Sequence, residues 1–248
     1  MSFARRNFIK LAIGCGIGVG LGVFGLQRLS PSTTQSSHTI PSTSKLEEAR
    51  FYQELRGNNV QCEICFRKCI IPRGARGFCR NRENKDGRLY TLVYGKPCAV
   101  HVDPIEKEPQ YHMLPKGRIL CIGTAGCNFQ CTFCQNWHIS TRTIEETGYD
   151  DLSPKGAVKL ALENHVDGVS FTYNEPTVFY EYMYDTAELA RKNGLKTLFH
   201  TNASMNQEPL RKLLRCMDAA TVDLKAFTAN FYQSTSISEL KPVLQTLK

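Results

Sequence analysis

The sequence predicts an α/β fold in which part of a parallel (βα) barrel follows a small cysteine-rich module. Strand-like apolar runs alternate with amphipathic helical segments over residues 114–248, which is typical of a parallel sheet. Closely spaced cysteines among basic residues mark residues 46–113 as the module. The 248 residues, 42% of them hydrophobic, are enough to bury a core of this size.

The first 29 residues predict a targeting segment. Arg5 and Arg6 precede an apolar run from Leu11 to Leu26 that glycines interrupt, and the pair resembles a twin-arginine signal. A transmembrane helix is the alternative, although such a helix needs roughly 20 apolar residues and this run is shorter. Residues 1–29 are therefore predicted to be a twin-arginine-like signal or anchor. This predicts export or a retained membrane tether, with a cytoplasmic function as the alternative.

Residues 30–45 are rich in Ser, Thr and Pro and predict a linker. Positive charge concentrates in the first 45 residues, which carry five Lys or Arg and no acid. Residues 46–248 therefore carry 26 of the 31 Lys and Arg and all 23 Asp and Glu, so this part of the chain is nearly neutral. The charge does not predict a nucleic-acid partner.

Four cysteines of the module, within "CEICFRKCIIPRGARGFCRNR", have the spacing C-x2-C-x3-C-x9-C: Cys62, Cys65, Cys69 and Cys79. Thiols this close together pair as disulfides only with strain, whereas they converge readily on one metal ion. The basic residues among them would offset the negative charge of four thiolates. A metal-binding module is therefore predicted, and both Zn²⁺ and an iron–sulfur cluster fit its ligands.

A second cysteine group lies in "CNFQCTFCQNW", where Cys127, Cys131 and Cys134 have the spacing C-x3-C-x2-C. Three thiolates ligate three irons of a [4Fe-4S] cluster and leave the fourth without a protein ligand. S-adenosylmethionine can chelate that iron through its amine and carboxylate, and electron transfer then releases a 5'-deoxyadenosyl radical. The alternative is a zinc or ferredoxin site that a distant cysteine completes: Cys98, Cys121 or Cys216.

The barrel elements follow from apolar pattern and helix-end signals. Ser153 is a plausible N-cap, Pro176 a plausible helix start and Gly194 a plausible stop. The predicted strands are "GRILCIGTAG", "GVSFTY", "LKTLFH" and "ATVDLKAF". The predicted helices are "SPKGAVKLALEN", "PTVFYEYMYDTAELARKNG", "QEPLRKLLRCMDA" and "SELKPVLQTLK". Short connections between them imply a parallel sheet with right-handed crossovers.

Polar side chains follow the predicted strands, at the edge where ligands bind in such folds. Glu175 could accept hydrogen bonds from the amino group of S-adenosylmethionine, or it could cap the next helix. Asp223 and Lys225 face the same side of a strand, so they line the site or neutralise each other. His200 is an isolated histidine, for which a solvated or hydrogen-bonded role is expected.

These motifs resemble a known group. "CNFQCTFCQNW", "TYNEP" and "VDLKAF" look like the radical S-adenosylmethionine (SAM) superfamily, on the branch related to pyruvate formate-lyase activating enzyme. More closely, "CEICFRKCIIPRGARGFCRNR", "DPIEKEPQYHMLPKG" and "GTAGCNFQCTFCQNWHIS" resemble the AmmeMemoRadiSam system radical SAM enzyme. The similarity covers about residues 46–248. It implies a partial (βα) barrel, a [4Fe-4S] cluster and S-adenosylmethionine.

The resemblance also implies partners and residue roles. An electron donor such as flavodoxin or ferredoxin is expected, and Memo-like and AMMECR-like proteins are candidate partners for an activase-like reaction. Cys127, Cys131 and Cys134 would ligate the cluster and so act in catalysis, and Phe133 would pack beside the adenine. The remaining residues expected at the cofactor are Tyr173, Asn174, Glu175, Thr201, Asn202, Asp223 and Lys225.

The chain departs from the family pattern in several places. Tyr173 and Asn174 replace the glycines of a Gly-Gly-Glu motif, and His200 and Ala203 replace the outer residues of Asp-Thr-Asn-Gly. Ala203 would be strained if that position requires a positive φ. Glu108 stands where a basic residue is expected.

The family barrel has six strand–helix units, and the sequence predicts about four here. A truncated reading frame, a half-barrel completed by another subunit, or a remnant without turnover would each explain the difference. Two function classes are therefore expected: a radical SAM enzyme, or a non-catalytic iron–sulfur or zinc protein in electron transfer or scaffolding.

Overall fold

The computed structural model describes residues 46–248. The predicted signal (residues 1–29) and linker (residues 30–45) lie outside this described part. Ser44–Lys248 forms one compact unit. Within residues 46–248, no helix has the length and apolar character to cross a membrane.

Six short strands form two small antiparallel sheets in the cysteine-rich module. One sheet has the order β1-β6-β5 and the other the order β2-β3-β4. A hairpin of β3 and β4 pairs Val60 with Ile71 and Gln61 with Ile70. The strands are β1 (Glu47–Glu48), β2 (Tyr52–Leu55), β3 (Asn59–Cys62), β4 (Ile70–Ile71), β5 (Arg82–Lys85) and β6 (Arg88–Thr91).

A five-stranded sheet holds the rest of the chain, with the order β11-β10-β9-β8-β7. Strands β8 to β11 are parallel, while β7 pairs antiparallel with β8. The sequence analysis assigned β7 to the cysteine-rich module, residues 46–113. In the structure β7 instead forms one edge of the large sheet. The strands are β7 (Ala99–Pro104), β8 (Arg118–Gly123), β9 (Gly168–Phe171), β10 (Lys196–Thr201) and β11 (Ala219–Val222).

The predicted alternation of strands and helices is confirmed. Ser153 caps α3, and its Oγ accepts a hydrogen bond from Gly156 N at 3.2 Å. A 3-10 turn that starts at Pro176 leads into α4, and Gly194 follows α4 with a φ of 79°. The helices are α1 (Trp137–Ser140), α2 (Ile144–Thr147), α3 (Pro154–Glu163), α4 (Tyr180–Lys192), α5 (Gln207–Leu213), α6 (Ala229–Thr235) and α7 (Leu240–Thr246).

The structure adds elements that the sequence analysis missed. Helix α6 begins at the N-cap Thr228, whose side chain accepts from Phe231 N, and it has one buried side chain, Tyr232. Short helices α1 and α2 follow the three-cysteine loop. None of these three helices has enough apolar positions to show a helical period.

Burial differs between the centre and the edge of the large sheet. All four residues of β9 are buried, and the inner residues of β8 are buried as well. Strand β11 alternates between intermediate and exposed residues, so it is an open edge of the parallel sheet. The carboxyl ends of β8, β9 and β10 therefore lie together above a rigid core, where a parallel sheet positions a ligand site.

A buried ion pair joins the module to helix α4. Arg82 Nη2 of β5 lies 2.8 Å from Glu181 Oε2, and the two side chains are 1% and 0% exposed. Glu181 Oε1 also accepts from Arg50 N at 2.7 Å. Because each charge would be costly without its partner, the pair fixes how the module sits on the barrel.

Candidate active site

A cavity of about 530 Å³ lies at the carboxyl ends of the parallel strands. All eleven residues that the sequence analysis placed at the cluster and cofactor line this single cavity: Cys127, Cys131, Phe133, Cys134, Tyr173, Asn174, Glu175, Thr201, Asn202, Asp223 and Lys225. The structure therefore brings together side chains that are spread over four strand ends. Their individual roles remain predictions.

The three cysteines of the loop after β8 are close neighbours. Burial raises the pKa of the Cys127 thiol, and the nearby carboxylate of Glu175 and the thiols of Cys131 and Cys134 raise it further. Phe129 N donates to Cys127 Sγ at 3.4 Å, and Cys134 Sγ lies 3.2 Å from Ser140 Oγ. Donors of this kind stabilise thiolate sulfur, so the loop is suited to metal ligation.

Asn174 holds the start of the cysteine loop. Its Nδ2 donates to Gly126 O at 2.7 Å, and its Oδ1 accepts from Thr124 N at 3.1 Å. The preceding residue, Tyr173, has a φ of 69° and accepts at its carbonyl from Asn136 Nδ2. A positive φ is strained in a residue other than glycine, which fits the glycine that the resemblance implies at this position, and the amide of Asn174 acts as a clamp on the loop.

Glu175 is buried, and its carboxylate is fully hydrogen-bonded. Oε1 accepts from Thr177 N at 3.1 Å and from Thr201 Oγ1 at 2.8 Å, and Oε2 accepts from Asn202 N at 2.7 Å. The helix-capping alternative is therefore present in the structure. The same carboxylate also lines the cavity, so capping and cofactor binding do not exclude each other.

A chain of amides connects this carboxylate to the cysteine loop. Asn202 Nδ2 donates to Asn128 Oδ1 at 2.9 Å, and Asn128 Nδ2 donates to Ser204 Oγ at 2.8 Å. Between them Ala203 has a φ of 56°, so the strain expected at this position is observed. The network fixes the residue after Cys127 relative to the end of β10.

The polar group at the ends of β10 and β11 contains His200, Asp223 and Lys225. His200 Nε2 lies 2.9 Å from Asp223 Oδ1, out of line for a straight hydrogen bond, and Lys225 Nζ lies 2.5 Å from Asp223 Oδ2. Burial raises the pKa of Asp223, but both cations lower it by more, and it lies well below its usual range.

The two cations are shifted in the opposite direction. Burial lowers the pKa of His200, yet Asp223 raises it by more, and the pKa ends above 6.5. Burial likewise lowers the pKa of Lys225, Asp223 raises it by more, and Cys131 and Cys127 raise it further. His200 was expected to have a solvated or hydrogen-bonded role, and the structure places it in the cavity beside the carboxylate of Asp223.

Glu108 is a further cavity residue that the sequence analysis did not assign to the site. It is buried, and its two oxygens accept from Ser170 Oγ at 2.7 Å and Cys121 Sγ at 3.4 Å. Lys107, Asn136 and Ser140 line the cavity as well. Glu108 follows the antiparallel strand β7, so a search restricted to the parallel strand ends could not find it.

The four cysteines of the module form a second group, and none of them lines this cavity. Cys62, Cys65 and Cys79 are buried and Cys69 is half-buried. Burial raises the pKa of Cys62 to about 12; Arg82 lowers it, and Cys79 and Cys69 raise it. Burial likewise raises the pKa of Cys65 to about 12. Thiols that influence one another in this way lie close together.

Both cysteine groups offer thiols as candidate ligands for a metal or cluster. No three His, Cys, Asp or Glu side chains within residues 46–248 already stand around a single point as ligands. The donor chemistry of the cavity fits a [4Fe-4S] cluster, because three thiols of one loop share it. Cys98, Cys121 and Cys216, the alternative fourth ligands, are absent from the lining among residues 46–248.

Comparisons with known proteins find relatives that are similar in sequence. The chain is 45% identical over 203 residues to the uncharacterized protein MJ0808 of Methanocaldococcus jannaschii, covering 82% of this chain and 60% of that protein. It is 25% identical over 170 residues to the uncharacterized protein MJ0674 of the same organism, covering 66% and 45%. The chain thus spans about half to three fifths of the length of these curated relatives.

Two solved structures are similar over part of the chain. They are TYW1 with a lysine-pyruvate adduct bound (16% identity, TM-score 0.40, 57% of this chain and 54% of that one) and QueE from Escherichia coli (15% identity, TM-score 0.42, 62% and 68%). Residues 121–248, slightly more than half of the chain, match the Radical SAM superfamily, which implies a [4Fe-4S] cluster and S-adenosylmethionine. The chain therefore belongs to the radical SAM superfamily.

Proposed function

We propose that this protein is an iron–sulfur enzyme that reductively cleaves S-adenosylmethionine and uses the resulting 5'-deoxyadenosyl radical to abstract hydrogen. The carrying observation is one cavity that holds all three loop cysteines together with the polar ends of β9, β10 and β11. When bound, the cluster supplies the electron that breaks the carbon–sulfur bond.

The chain's own residues would bind and orient the cofactor. Cys127, Cys131 and Cys134 hold the cluster, and their loop is kept in place by Asn174. Lys225 and Glu175 both line the cavity, so Lys225 would offer a cation to the carboxylate of S-adenosylmethionine and Glu175 would offer a carboxylate to its amine. In this arrangement the binding energy positions the reacting bond.

The adenine would lie at the rim of the cavity. Phe133 is 50% exposed, and its ring centroid lies 5.7 Å from that of Phe231. A half-exposed aromatic ring at a cavity mouth offers a flat apolar surface for a purine. This supports the role predicted for Phe133 beside the adenine.

We extend the proposal to an activase-like reaction on a protein substrate. The support is two exposed aromatic residues close in sequence to residues that line the cavity: Trp137, 58% exposed, follows Asn136, and Phe227, 87% exposed, lies two residues after Lys225. Exposed aromatic side chains around a site favour contact with another protein. Memo-like and AMMECR-like proteins are candidate substrates or partners, and a flavodoxin or ferredoxin is the candidate electron donor.

A second candidate is a non-catalytic iron–sulfur or zinc protein in electron transfer or scaffolding. The observation that favours it is the open edge at β11, which leaves Val222 and Leu224 partly exposed beside the cavity. A cavity with an open side shields a radical less well from solvent. Cleavage of S-adenosylmethionine separates the two candidates.

The test uses anaerobically purified full-length protein reconstituted with iron and sulfide. Electron paramagnetic resonance of the reduced sample is recorded with and without S-adenosylmethionine, and 5'-deoxyadenosine is then assayed. We expect a [4Fe-4S] signal that S-adenosylmethionine changes, with deoxyadenosine formed. Cys131→Ala should abolish both effects, whereas Cys98→Ala, which alters a cysteine outside the cavity lining, should preserve them. A cluster signal indifferent to S-adenosylmethionine, without deoxyadenosine, supports the non-catalytic candidate.

We also propose that Cys62, Cys65, Cys69 and Cys79 hold a metal, as Zn²⁺ or as a second iron–sulfur cluster. Their burial and mutual proximity support this site. The choice between the two metals is argued below.

For localisation we propose twin-arginine export, which carries folded, cofactor-loaded proteins. The support is the Arg5–Arg6 pair before an apolar run. Residues 1–45 fused to a reporter should direct it out of the cytoplasm, and changing both arginines to lysine should stop this. A reporter that stays cytoplasmic regardless of the change contradicts export.

A further inference from the structure

The four-cysteine module packs directly on the loop that carries the three cluster cysteines. Asn81 Nδ2, two residues after Cys79, donates to Ala125 O. A Cβ atom on Gly126 would come within 2.2 Å of Cys79 O, so the two backbones are in contact there. On the other side, Arg67 Nε donates to Asn128 O at 2.6 Å. The segment Ala125–Asn128, which contains Cys127, is therefore held between two parts of the module.

The same module loop also contacts the end of β10. Phe66 N donates to Ser204 O at 3.1 Å, and Asn206 N donates to Ile64 O at 3.0 Å. An isolated antiparallel bridge pairs Cys65 with Met205. Cys65 thus lies in a stretch of backbone that is fixed to the loop bearing Asn202 and Ser204.

Arg67 is the side chain that spans the two cysteine groups. Its guanidinium lies 3.4 Å from the ring centroid of Phe78 and 5.0 Å from that of Phe66. It also donates to the carbonyl of Ile237, in addition to Asn128. A planar guanidinium fixed by two rings and two carbonyls has little freedom, so its position depends on the loop Cys65–Cys69 that carries it.

The backbone brings the module cysteines together in pairs, although within residues 46–248 no three side chains already converge on one point. Cys62 ends β3 and Cys69 precedes β4, and Cys62 N donates to Cys69 O at 3.0 Å. Residues facing each other across an antiparallel pair have Cα atoms about 4.5–5.5 Å apart, a spacing that a single ion can span with Zn–S bonds of about 2.3 Å. On a cubane cluster each thiolate would bind a different iron, so the ligand sulfurs would stand further apart than on one ion, and the facing pair Cys62 and Cys69 favours the single ion.

A second, independent observation points to a missing hydrogen-bond acceptor among these thiols. Arg82 is 0% exposed, and its Nε has no hydrogen-bond partner in the described structure. Its Nη atoms bind Glu181, which balances the guanidinium charge but leaves Nε without an acceptor, and Cys62 and Cys79 lie beside the guanidinium. A buried, unpaired donor is costly, and four metal-bound thiolates would supply the missing acceptor.

We propose that Cys62, Cys65, Cys69 and Cys79 bind one Zn²⁺, and that this site positions the Ala125–Asn128 segment of the cluster loop through Arg67 and the Cys79–Asn81 backbone. The zinc is structural, because four protein thiolates leave no open coordination position. Arg67 is a positioning residue. This second part rests on the proposed cluster at Cys127, Cys131 and Cys134, whereas zinc binding does not.

The first experiment measures metal content, so that the two parts are separated. Wild type and the triple variant Cys127→Ala, Cys131→Ala, Cys134→Ala are purified anaerobically from medium containing both iron and zinc. We expect about one zinc per chain in both proteins, with iron lost only from the triple variant. Cys69→Ala should lose the zinc. Iron in place of zinc in the triple variant, or no metal at all, overturns the zinc site.

Cobalt substitution reports on the ligands of the module site by visible absorption. Co²⁺ incorporated at four thiolates in a tetrahedral site has intense thiolate charge-transfer bands and visible bands, and Cys69→Ser should shift both. Cobalt bands that Cys69→Ser leaves unchanged would contradict the assignment of the ligands. This measurement needs no iron–sulfur cluster, so it is independent of the proposed enzyme activity.

The second experiment tests positioning. Arg67→Gln is compared with Arg73→Gln, which alters an exposed arginine of the same module that pairs only with Asp86. Both should retain zinc. We expect Arg67→Gln alone to change the electron paramagnetic resonance line shape of the reduced cluster and to weaken S-adenosylmethionine binding about tenfold. Cluster spectra and binding identical to wild type in a zinc-loaded Arg67→Gln protein overturn the positioning role.

If Arg67→Gln does not fold, Asn81→Ala tests the other contact. Asn81 donates to Ala125 O from the opposite side of the loop. The same change in line shape, with zinc retained, is expected. An unchanged cluster spectrum in this variant contradicts positioning by the module.

Discussion

At Gly126 the backbone has a φ of 77°, and the space where a side chain would begin is occupied by Cys79 O. This one residue therefore satisfies two demands, a left-handed conformation and contact with another backbone. Only glycine meets both without strain. Gly126 lies directly before Cys127, so a change in the backbone conformation at Gly126 would displace the loop that carries the three cysteines.

We predict that Gly126→Ala destabilises the protein by about 3 kcal/mol or more, because left-handed strain and a steric clash add. Gly194→Ala is the matched control, since Gly194 has a φ of 79° and open space around its Cβ position. That variant should cost only about 1 kcal/mol. Denaturant unfolding of both variants measures the difference. Equal costs would show that the Cys79 contact does not constrain the loop.

The His200–Asp223 pair predicts a pH dependence of stability. The pKa of His200 is raised above 6.5 in the folded protein, so folding is favoured by its protonated form. That contribution is fully present below pH 6.5 and is lost as the pH rises through the folded pKa. His200→Gln should flatten this decline in the free energy of unfolding, measured on the metal-free protein. Exposed His112→Gln, the control, should leave the decline unchanged.

At the scale of elements, helix α4 connects the barrel to the module through Glu181 and Asp185. Arg82 binds the first and Arg50 the second, at 2.8 and 2.6 Å. The first pair is fully buried, so removing one partner leaves an uncompensated charge in the interior. Helix position and module position are therefore coupled energetically.

We predict that Glu181→Gln lowers the free energy of unfolding by about 3 kcal/mol. The control is Glu163→Gln, which alters an exposed pair with Lys159 one helical turn away on α3 and should cost less than about 0.5 kcal/mol. Combining Glu181→Gln with Arg82→Met should recover part of the loss in a double-mutant cycle. Additive effects of the two changes would contradict the coupling.

Elements with strong patterns were predictable from the sequence, and others were not. The strand ending at Gly123 has a continuous apolar run, and the helix after Ser153 has an amphipathic pattern and an N-cap. Both elements are confirmed. Helix α6 has one buried residue, Tyr232, and this gives no period to detect. Among the site residues, Glu108 was missed. It follows the antiparallel strand β7, and the sequence does not indicate that β7 joins the large sheet.

At the scale of the whole molecule, the module and the barrel share one hydrophobic core. The largest buried cluster includes Val60 and Ile64 of the module together with Phe171 and Tyr180 of the barrel. Neither part buries these side chains by itself. The predicted cysteine groups could be placed by spacing alone, but their contact with each other depends on this shared core, which no local pattern encodes.

We predict that residues 46–248 unfold as one cooperative unit. The most protected amides of β3 in the module and of β9 in the barrel should then report the same opening free energy by hydrogen exchange. Amides of α7, near the end of the chain, serve as the reference for local fraying and should report a lower value. A clearly lower value for β3 than for β9 would mean that the module opens independently.

The chain contains a single tryptophan, Trp137, three residues after Cys134 and largely exposed. Its indole therefore acts as an intrinsic fluorescent probe next to the loop that would ligate the cluster. Iron–sulfur centres absorb where indole emits, so each molecule that acquires a cluster should become dark in fluorescence. Assembly could be followed second by second in an anaerobic cuvette without adding a label, and zinc, which has no such absorption, would leave the emission bright.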